Sequence, residues 1–286
     1  MKQKGKTKFQ ERSLAGKIVI YTVCIILAVL SLMPFVIMLV NSTRSTPEIQ
    51  QHAISFIPSS HLLDNWKVLT GKTFNPFTGF INSVIISTGA TILAIYFSTL
   101  TAYALFAYRW KLRQPFFTMI LAVMMIPTQV ISVGFYQFMY RIGMTNNFLA
   151  LILPAIAAPM IVFFMRQYML SALNLDIVAS ARIDGAGEFR IFNGIVLPIM
   201  KPAMATQAIF TYVTNWNSLF IPMILLTKKE FYTMPIMVSL LKGDIYKTEY
   251  GAVYLALSLS VLPLFIVYFV LSKYIIAGVA LGSIKE

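Results

Sequence analysis

Two sets of side chains that could bind a solute lie inside apolar stretches of the chain, and no member of either set is charged. The first set follows the spacing i, i+4, i+7 and i+11, which places its members on one face of a helix. It consists of Gln207, Thr211, Thr214 and Ser218, with Asn215 at the border of the face. The second set, at similar spacing, consists of Gln129, Ser132, Tyr136 and Tyr140. Amide, hydroxyl and phenol groups suit an uncharged, polyhydroxylated solute, whereas a path for an anion more often carries Arg or Lys.

Packing between helices is the alternative role for such side chains, because Ser and Thr often form hydrogen bonds between membrane helices. A third set, Ser87, Thr91 and Ser98, contains only hydroxyl groups, and packing is the favoured interpretation for it. The amides and tyrosines of the first two sets exceed what packing needs, which favours a solute path there.

The sequence lacks the residue groups that catalysis, metal binding or ion coupling would require. No Asp or Glu lies within an apolar stretch, although ion-coupled carriers accept the cost of burying one, about 2.5–3.5 kcal/mol at a helix centre. His52 and His61 are not a pair at metal-binding spacing, and Cys24 is the only cysteine. Gly71-Lys72-Thr73 lacks the earlier glycine of a phosphate-binding loop, since Trp66 occupies that position. An intramembrane enzyme and a nucleotide-binding subunit are therefore disfavoured.

The composition is that of an integral membrane protein. Of 286 residues, 58% are hydrophobic and 12% charged, compared with about 25% charged in soluble domains. Mean hydropathy is +0.76. The net charge of +13 does not indicate nucleic-acid binding, because the Lys and Arg residues lie between apolar stretches rather than on one amphipathic face.

Six apolar stretches are predicted to cross the membrane, each having about the 20 residues that a helical span needs. They cover residues 18–40, 80–108, 116–140, 148–170, 199–227 and 252–271. The first is too long for a signal peptide and lacks a small-residue cleavage site, so we expect it to be retained. A basic tail, 1–17, precedes a six-span domain, 18–286, which has predicted external loops at 41–79 and 228–251.

The basic residues predict the orientation. With the N-terminus in the cytoplasm, 15 of the 23 Lys and Arg residues fall on the cytoplasmic side, while the acidic residues divide evenly. This asymmetry follows the positive-inside rule. Six spans then place both termini in the cytoplasm, together with the charged stretch from Asp176 to Met204.

That charged stretch predicts a helix, a bend and a second helix. Residues 179–183 favour a helix, Gly185 favours a left-handed bend, and 189–196 favour a second helix before Pro198 begins the next apolar segment. Two short helices around a bend form a compact part that another protein could bind. An amphipathic loop lying on the lipid surface is the alternative.

The same stretch resembles the cytoplasmic EAA loop of ABC importer permeases. The resemblance rests on Ala179-Ser180-Ala181, on Gly185 and on Ile195-Val196-Leu197-Pro198. ARIDGA, FRIF and IVLPIMKPA are most similar to the carbohydrate branch of that family, the relatives of the maltose permease, and the similarity extends to AYALFAYRW, PTQV, FFMRQYM and NWNSLF. One residue departs from the pattern, because the Glu that opens the family motif is Ala179 here.

The resemblance implies an all-α, six-span fold of the MetI-like (type I) importer class, with residues 174–198 as a loop that docks on an ATPase. The docking residues it implies are Ala179, Ser180, Ala181, Arg182, Ile183, Asp184, Gly185, Phe189, Leu197 and Pro198. It also implies two ATPase subunits that use ATP and Mg, an external solute-binding protein and a bacterial cell membrane. This chain itself is then expected to bind membrane lipid but no nucleotide, metal or nucleic acid.

A second permease subunit is also expected, because six helices with a one-sided polar lining enclose only half of a pathway. In the family this partner is related but not identical, while a homodimer remains open from the residues alone. Three functions remain open as well. They are import of a sugar or oligosaccharide, import of another solute such as a peptide or polyol, and service as a membrane scaffold without conduction.

The predicted orientation can be tested by thiol labelling in a Cys24→Ala background. Ser59→Cys and Gly243→Cys should react with an impermeant reagent in intact cells, because both positions fall in predicted external loops. Gln114→Cys and Asn193→Cys should react only after lysis. Labelling of Asn193→Cys from outside would contradict the orientation.

Overall fold

The computed structural model describes residues 14–71, 75–241 and 248–282, and these ranges contain helices and turns but no strand. The α-helices are α1 (Leu14–Asn41), α2 (Thr46–Gln51), α3 (Leu62–Thr70), α4 (Pro76–Ala107), α5 (Arg113–Val123), α6 (Thr128–Arg141), α7 (Leu149–Ile152), α8 (Pro159–Ala172), α9 (Leu175–Ile183), α10 (Glu188–Ile191), α11 (Leu197–Trp216), α12 (Phe220–Leu225), α13 (Met234–Leu241) and α14 (Tyr250–Gly282). Short 3₁₀ segments cover Leu153–Ile156 and Lys229–Phe231, and a π-helical segment covers Phe192–Val196.

Four helical stretches within the described residues are long and apolar enough to cross a membrane. They are Gly16–Asn41, Pro76–Ala107, Leu149–Ala172 and Tyr250–Val270. Each overlaps one predicted span, namely the first, second, fourth and sixth. The second begins earlier than expected, because Pro76 occupies the first helical turn and the side chain of Asn75 accepts a hydrogen bond from the Thr78 N–H at 3.2 Å.

The predicted third span is divided by a proline. A proline ring collides with the carbonyl group four residues earlier, and the residue four before Pro127 is Val123. Helix α5 ends at Val123 and α6 begins at Thr128, so the stretch forms helices of 11 and 14 residues instead of one long helix.

The predicted fifth span is divided in the same way. Helix α11 has 20 residues and ends at Trp216, and α12 begins at Phe220. The ring of Pro222 would collide with the carbonyl group of Ser218 in a continuous helix. Ser218 was predicted to extend the polar face of the fifth helix, but it lies in the turn after that helix, where its N–H donates to the Asn215 carbonyl at 3.2 Å.

The described residues form two compact units. The first contains residues 14–68 and 249–258. In it, the buried Arg44 guanidinium donates to Asn41 Oδ1 at 3.0 Å and to the carbonyls of His52 and Glu48 at 2.7 and 2.9 Å. The Asn65 amide donates to the Arg44 carbonyl at 2.9 Å. These bonds satisfy the buried charge with oxygen dipoles and fold the polar stretch after α1 around Arg44.

The second unit contains residues 69–241 and 259–282, and α4 is its central helix. Helix α4 packs against α8 and α11, with a core that includes Leu105, Met165 and Met200. Ser87, Thr91 and Ser98 of α4 are buried, and the Ser98 hydroxyl lies 3.4 Å from the Ala158 carbonyl. Their burial agrees with packing between helices, and among the described residues the buried hydroxyls of Ser87 and Thr91 have no hydrogen-bond partner.

The close packing around Gly251 predicts how a substitution there changes the stability of the first unit. A methyl group at this position would overlap the Arg44 carbonyl oxygen and the side-chain amide of Asn65. Gly251→Ala should therefore lower the stability of the purified protein by roughly 1–3 kcal/mol, the usual cost of overpacking. Thermal unfolding in detergent measures this change.

Gly134→Ala is the matched control, because Gly134 is also helical and a methyl group there would meet no atom within 4 Å. It should leave the melting temperature unchanged or raise it. Equal melting temperatures for the two variants would contradict the assigned packing around Gly251.

Candidate functional site: the coupling segment and two polar cavities

Residues 174–198, called the coupling segment below, begin with a capped helix. The side chain of Asn174 accepts a hydrogen bond from the Asp176 N–H at 2.9 Å, which satisfies one of the free donors at the start of α9. Helix α9 begins at Leu175, four residues before the predicted start. Val178 and Ala181 face the core, whereas Ala179, Ser180 and Arg182 are exposed. The helix is thus anchored on one face and open on the other.

Gly185 ends α9 with a positive φ of 81°, as predicted from the bend. The Gly185 N–H donates to the Arg182 carbonyl at 3.0 Å, and the Ala186 N–H donates to the Ala181 carbonyl at 3.0 Å. This pair of bonds is the Schellman motif, which satisfies the last carbonyls of a helix and favours glycine because other residues pay for a positive φ.

Glu188, in the first turn of α10, gathers four hydrogen-bond donors. Its carboxylate accepts from Arg182 Nε at 2.6 Å and Nη2 at 3.3 Å, from the Tyr103 hydroxyl at 3.3 Å, and from the Tyr108 hydroxyl. The Arg182 guanidinium also lies 5.3 Å from the centroid of the Tyr108 ring. We call Tyr103, Tyr108, Arg182 and Glu188 the carboxylate clamp.

The clamp changes the proton affinities of its exposed members. The hydrogen bonds from Arg182 and then Tyr108 lower the pKa of Glu188, because they favour its ionised form. The hydrogen bond to Glu188 raises the pKa of Arg182. Glu188 therefore remains an anion, and Arg182 a cation, at neutral pH.

Sequence reasoning did not identify the clamp. Tyr103 and Tyr108 were noted only within AYALFAYRW, and Glu188 only as one charge of the coupling segment. The available signal was an acid next to a bend in a chain with few acids, together with two tyrosines at the end of an apolar stretch.

The second helix of the coupling segment continues into the next apolar segment instead of ending before Pro198. Residues 188–216 are helical throughout, with the π-helical segment Phe192–Val196 in the middle. There the Leu197 N–H donates to the carbonyl of Phe192, five residues earlier. The wider turn leaves room for the ring of Pro198, which would collide with the Gly194 carbonyl in a regular α-helix.

Two apolar side chains are exposed at the bend of the coupling segment. Ile183 is 87% exposed and Phe189 is 75% exposed, and they lie on either side of Gly185. Together with exposed Ala179, four residues before Ile183 in α9, they form what we call the tip surface. Exposed large apolar side chains of this kind mark contacts with another protein or with the lipid surface.

The predicted solute-path residues line two cavities that share one residue. A small cavity of about 250 Å³ is lined by Ser132, Asn215 and Ser218 among mostly apolar side chains. A large cavity of about 650 Å³ is lined by Gln207, Thr211, Thr214 and Asn215. Asn215 belongs to both, so each of the five residues of the first polar set lines a cavity, although Ser218 lies beyond the helix.

The remaining members of the second set lie elsewhere. Tyr136 lines neither cavity and packs instead with Met139 and Leu225, its ring 6.2 Å from that of Tyr140. The side chain of Gln129 lies outside the described residues. Among the described members of this set, Ser132 is the one that lies at a cavity.

Residues 94–280 match the family model for the binding-protein-dependent transport system inner membrane component. The chain belongs to this family. The matched range contains the coupling segment and the polar residues of α11. The family is one of transport permeases rather than enzymes, and its members are inner membrane components.

Curated relatives match over nearly their whole length. The arabinooligosaccharides transport system permease protein AraQ of Halalkalibacterium halodurans is 33% identical over 91% of this chain and 93% of its own. The lactose transport system permease protein LacG of Rhizobium radiobacter is 32% identical over 94% and 96%. The sn-glycerol-3-phosphate transport system permease protein UgpE of Pectobacterium atrosepticum is 29% identical over 88% and 91%.

A solved structure supports the fold. One chain in the crystal structure of a bacterial ABC transporter involved in the import of the acidic polysaccharide alginate superposes with a TM-score of 0.76 at 24% identity. The match covers 91% of this chain and 96% of that chain. The permease therefore has the all-helical, MetI-like fold expected from its sequence.

Gly185→Val tests the bend. Valine must adopt a positive φ there at a cost of about 1–2 kcal/mol or more, although its side chain would meet no atom within 4 Å. We expect normal membrane insertion, faster hydrogen exchange at the Gly185 and Ala186 amides, and weaker stimulation of the partner ATPase.

Gly187→Thr is the matched control, because threonine has the shape of valine and Gly187 is equally open with an ordinary φ of −68°. Gly187 is the N-cap of α10, a position that threonine occupies about as well as glycine. It should behave like the wild type in both measurements. Wild-type exchange and wild-type ATPase stimulation in Gly185→Val would show that the positive φ is dispensable.

Proposed function

We propose that this chain is the permease subunit of an ATP-binding-cassette importer that translocates a sugar or oligosaccharide delivered by an external binding protein. The observation that carries the proposal is that neutral amide and hydroxyl side chains lie among the mostly apolar side chains of both cavities, on a chain of this family. None of the described residues that line either cavity is charged. Hydroxyl and amide groups among apolar and aromatic side chains suit a neutral, polyhydroxylated solute.

The sugar assignment is supported by the relatives. AraQ and LacG are named for arabinooligosaccharide and lactose transport, and both are at least 32% identical to this chain. A cavity of about 650 Å³ has room for more than one sugar ring, since drug-sized ligands occupy sites of roughly 300–1,000 Å³.

A polyol phosphate is the second candidate, because UgpE is named for sn-glycerol-3-phosphate transport. A phosphate ester would be expected to meet a basic side chain or a set of N–H donors along its path. The described cavity linings offer no Lys or Arg, which favours the neutral solute. Import of a peptide would also need a cavity, whereas a scaffold without conduction would not, so the two cavities favour conduction.

The tip surface is the proposed contact with an ATPase subunit. Ile183 and Phe189 expose apolar area that water solvates poorly, while the capped helix and the Schellman motif hold both side chains in place. Ala179 adds no polar group where the family motif has Glu. Docking here therefore depends on burial of apolar surface, with Asp184 and Arg182 at its edge.

The proposed assembly has six spans in this subunit and both termini in the cytoplasm. The two interrupted spans would be completed by α5 with α6 and by α11 with α12, since prolines are tolerated in membrane helices when neighbours satisfy the freed backbone groups. A related second permease would enclose the other half of the path. Two ATPase subunits would hold ATP and Mg, and a homodimer of this chain is the alternative to the heterodimer.

Thr214→Val tests the path. The Thr214 hydroxyl donates to the Phe210 carbonyl at 2.8 Å, and Thr214 lines the large cavity, where a hydroxyl oxygen can still accept a hydrogen bond. Its loss should lower uptake by several-fold, since one such group contributes roughly 0.5–1.5 kcal/mol. The measurement is solute uptake per assembled complex in proteoliposomes that contain the ATPase and the binding protein.

Thr206→Val is the matched control. Thr206 is also in α11 and its hydroxyl makes the same kind of bond, to the Pro202 carbonyl at 2.9 Å, but it lines neither cavity. Equal uptake for both variants would make the polar face of α11 structural. In the same vesicles, transport of glycerol 3-phosphate but of no sugar would replace the neutral-solute assignment with the second candidate.

A further inference from the structure

Helix α4 is tied to the coupling segment at two places on one face. Tyr96 and Tyr103 are seven residues apart, so their side chains lie above one another on the helix. The Tyr96 hydroxyl donates to Asn193 Oδ1 at 3.3 Å, and the Tyr103 hydroxyl donates to Glu188 Oε2 at 3.3 Å. The ring of Phe192 lies between them, 5.6 Å from the Tyr96 ring and 5.7 Å from the Tyr103 ring.

The aromatic contact around Phe192 and the hydrogen bonds of Glu188 differ in how deeply they are buried. Phe192 is 1% exposed and Tyr103 is 2% exposed, so the aromatic contact is a permanent part of the core. The clamp carboxylate lies at the surface, since the Arg182 and Glu188 side chains are 39% and 45% exposed. An exposed ion pair alone contributes little to stability. The role we assign to Glu188 is therefore to position the bend. Its hydrogen-bond donors come from α9 on one side and from the end of α4 on the other, so it links these two helices.

Helix α4 also reaches both cavities. Ala94 lines the large cavity and Ile86 lines the small one. At 1.5 Å per residue, Ala94 lies about 14 Å along the helix from Tyr103. A displacement of the end of α4 would be delivered to the cavity walls, because a helix packed along its length moves as a rigid element.

We propose that Glu188 is a positioning residue that couples the bend at Gly185 to α4. Force applied to the tip surface then passes through the carboxylate to Tyr103 and Tyr108, and along α4 to the cavities. The Arg182 guanidinium fixes the carboxylate orientation by its two-pronged contact. This inference rests on the proposed function, since it gives the coupling segment a route to the solute path.

The test compares Glu188→Gln, Tyr108→Phe and the double variant in the full complex, reconstituted in lipid nanodiscs or proteoliposomes. The first change removes the charge at constant size, and the second removes one hydroxyl. Both should lower the number of solute molecules imported per ATP hydrolysed, by about five-fold or more, as expected for loss of coupling between sites. The double variant should be no worse than Glu188→Gln, because both changes break one unit.

Glu230→Gln is the control, because Glu230 is an exposed acid in the turn Lys229–Phe231, away from the clamp. It should leave the import ratio unchanged. If Glu188→Gln lowers the melting temperature or the yield of complex but imports as many molecules per ATP as the wild type, Glu188 only stabilises the fold and the inference is wrong.

Hydrogen exchange in the same complexes separates this inference from the proposed function. Glu188→Gln should speed exchange several-fold at the last amides of α4, residues 105–107, as well as at Gly185 and Ala186. Failure of the wild-type complex to import any solute would refute the proposed function, while the exchange pattern would still decide whether the clamp joins the bend to α4. Unchanged exchange at the end of α4 would overturn the inference.

Discussion

The contact between α4 and the helix that leaves the coupling segment is the interaction on which the second unit depends. Phe192 is almost fully buried between Tyr96 and Tyr103, and Val196 and Met200 continue the same contact toward α11. Aromatic contacts of this kind bury large areas and prefer edge-to-face geometry, as the 80° angle between the Tyr96 and Phe192 rings shows. The contact fixes where the coupling segment ends and where the polar face of α11 begins.

Prolines then decide how the polar face is presented. Pro198 requires a widened turn before α11, and Pro222 ends the helical path beyond Trp216. The break after Trp216 places Asn215 and Ser218 at the wall of the small cavity, while Gln207, Thr211 and Thr214 line the large one. A straight helix through residue 227 would place Ser218 on the same line as the other members. The break therefore divides these polar side chains between two cavities, and Asn215 lines both of them.

Much of this architecture follows from the sequence because its causes are local. Composition indicates a membrane protein, and Gly185 indicates a left-handed bend because few other residues accept one. The interruptions at Pro127 and Pro222 also have local causes. Pro127 already interrupts the third apolar stretch in the sequence, whereas apolar length alone concealed the break before Pro222 in the fifth. The clamp could not be predicted in this way. Its tyrosines are 80 and 85 residues from Glu188 in the chain, and only the packing of α4 against the coupling segment brings them together.

The coupling segment is stabilised by its own hydrogen bonds, while large apolar side chains at its tip remain exposed. Backbone hydrogen bonds close the end of α9, Asn174 caps its start, and Glu188 neutralises Arg182 across the bend. Few polar groups of the bend therefore need a partner protein. The large apolar side chains that remain exposed at the bend are Ile183 and Phe189, and the exposed charged groups of Arg182 and Asp184 stand next to Ile183 in the chain. Burying these two side chains adds binding energy without breaking any internal bond, so a partner can bind the segment and move it as one piece. A bend with unsatisfied backbone groups would instead rearrange on contact, and its movement would be lost before it reached α4.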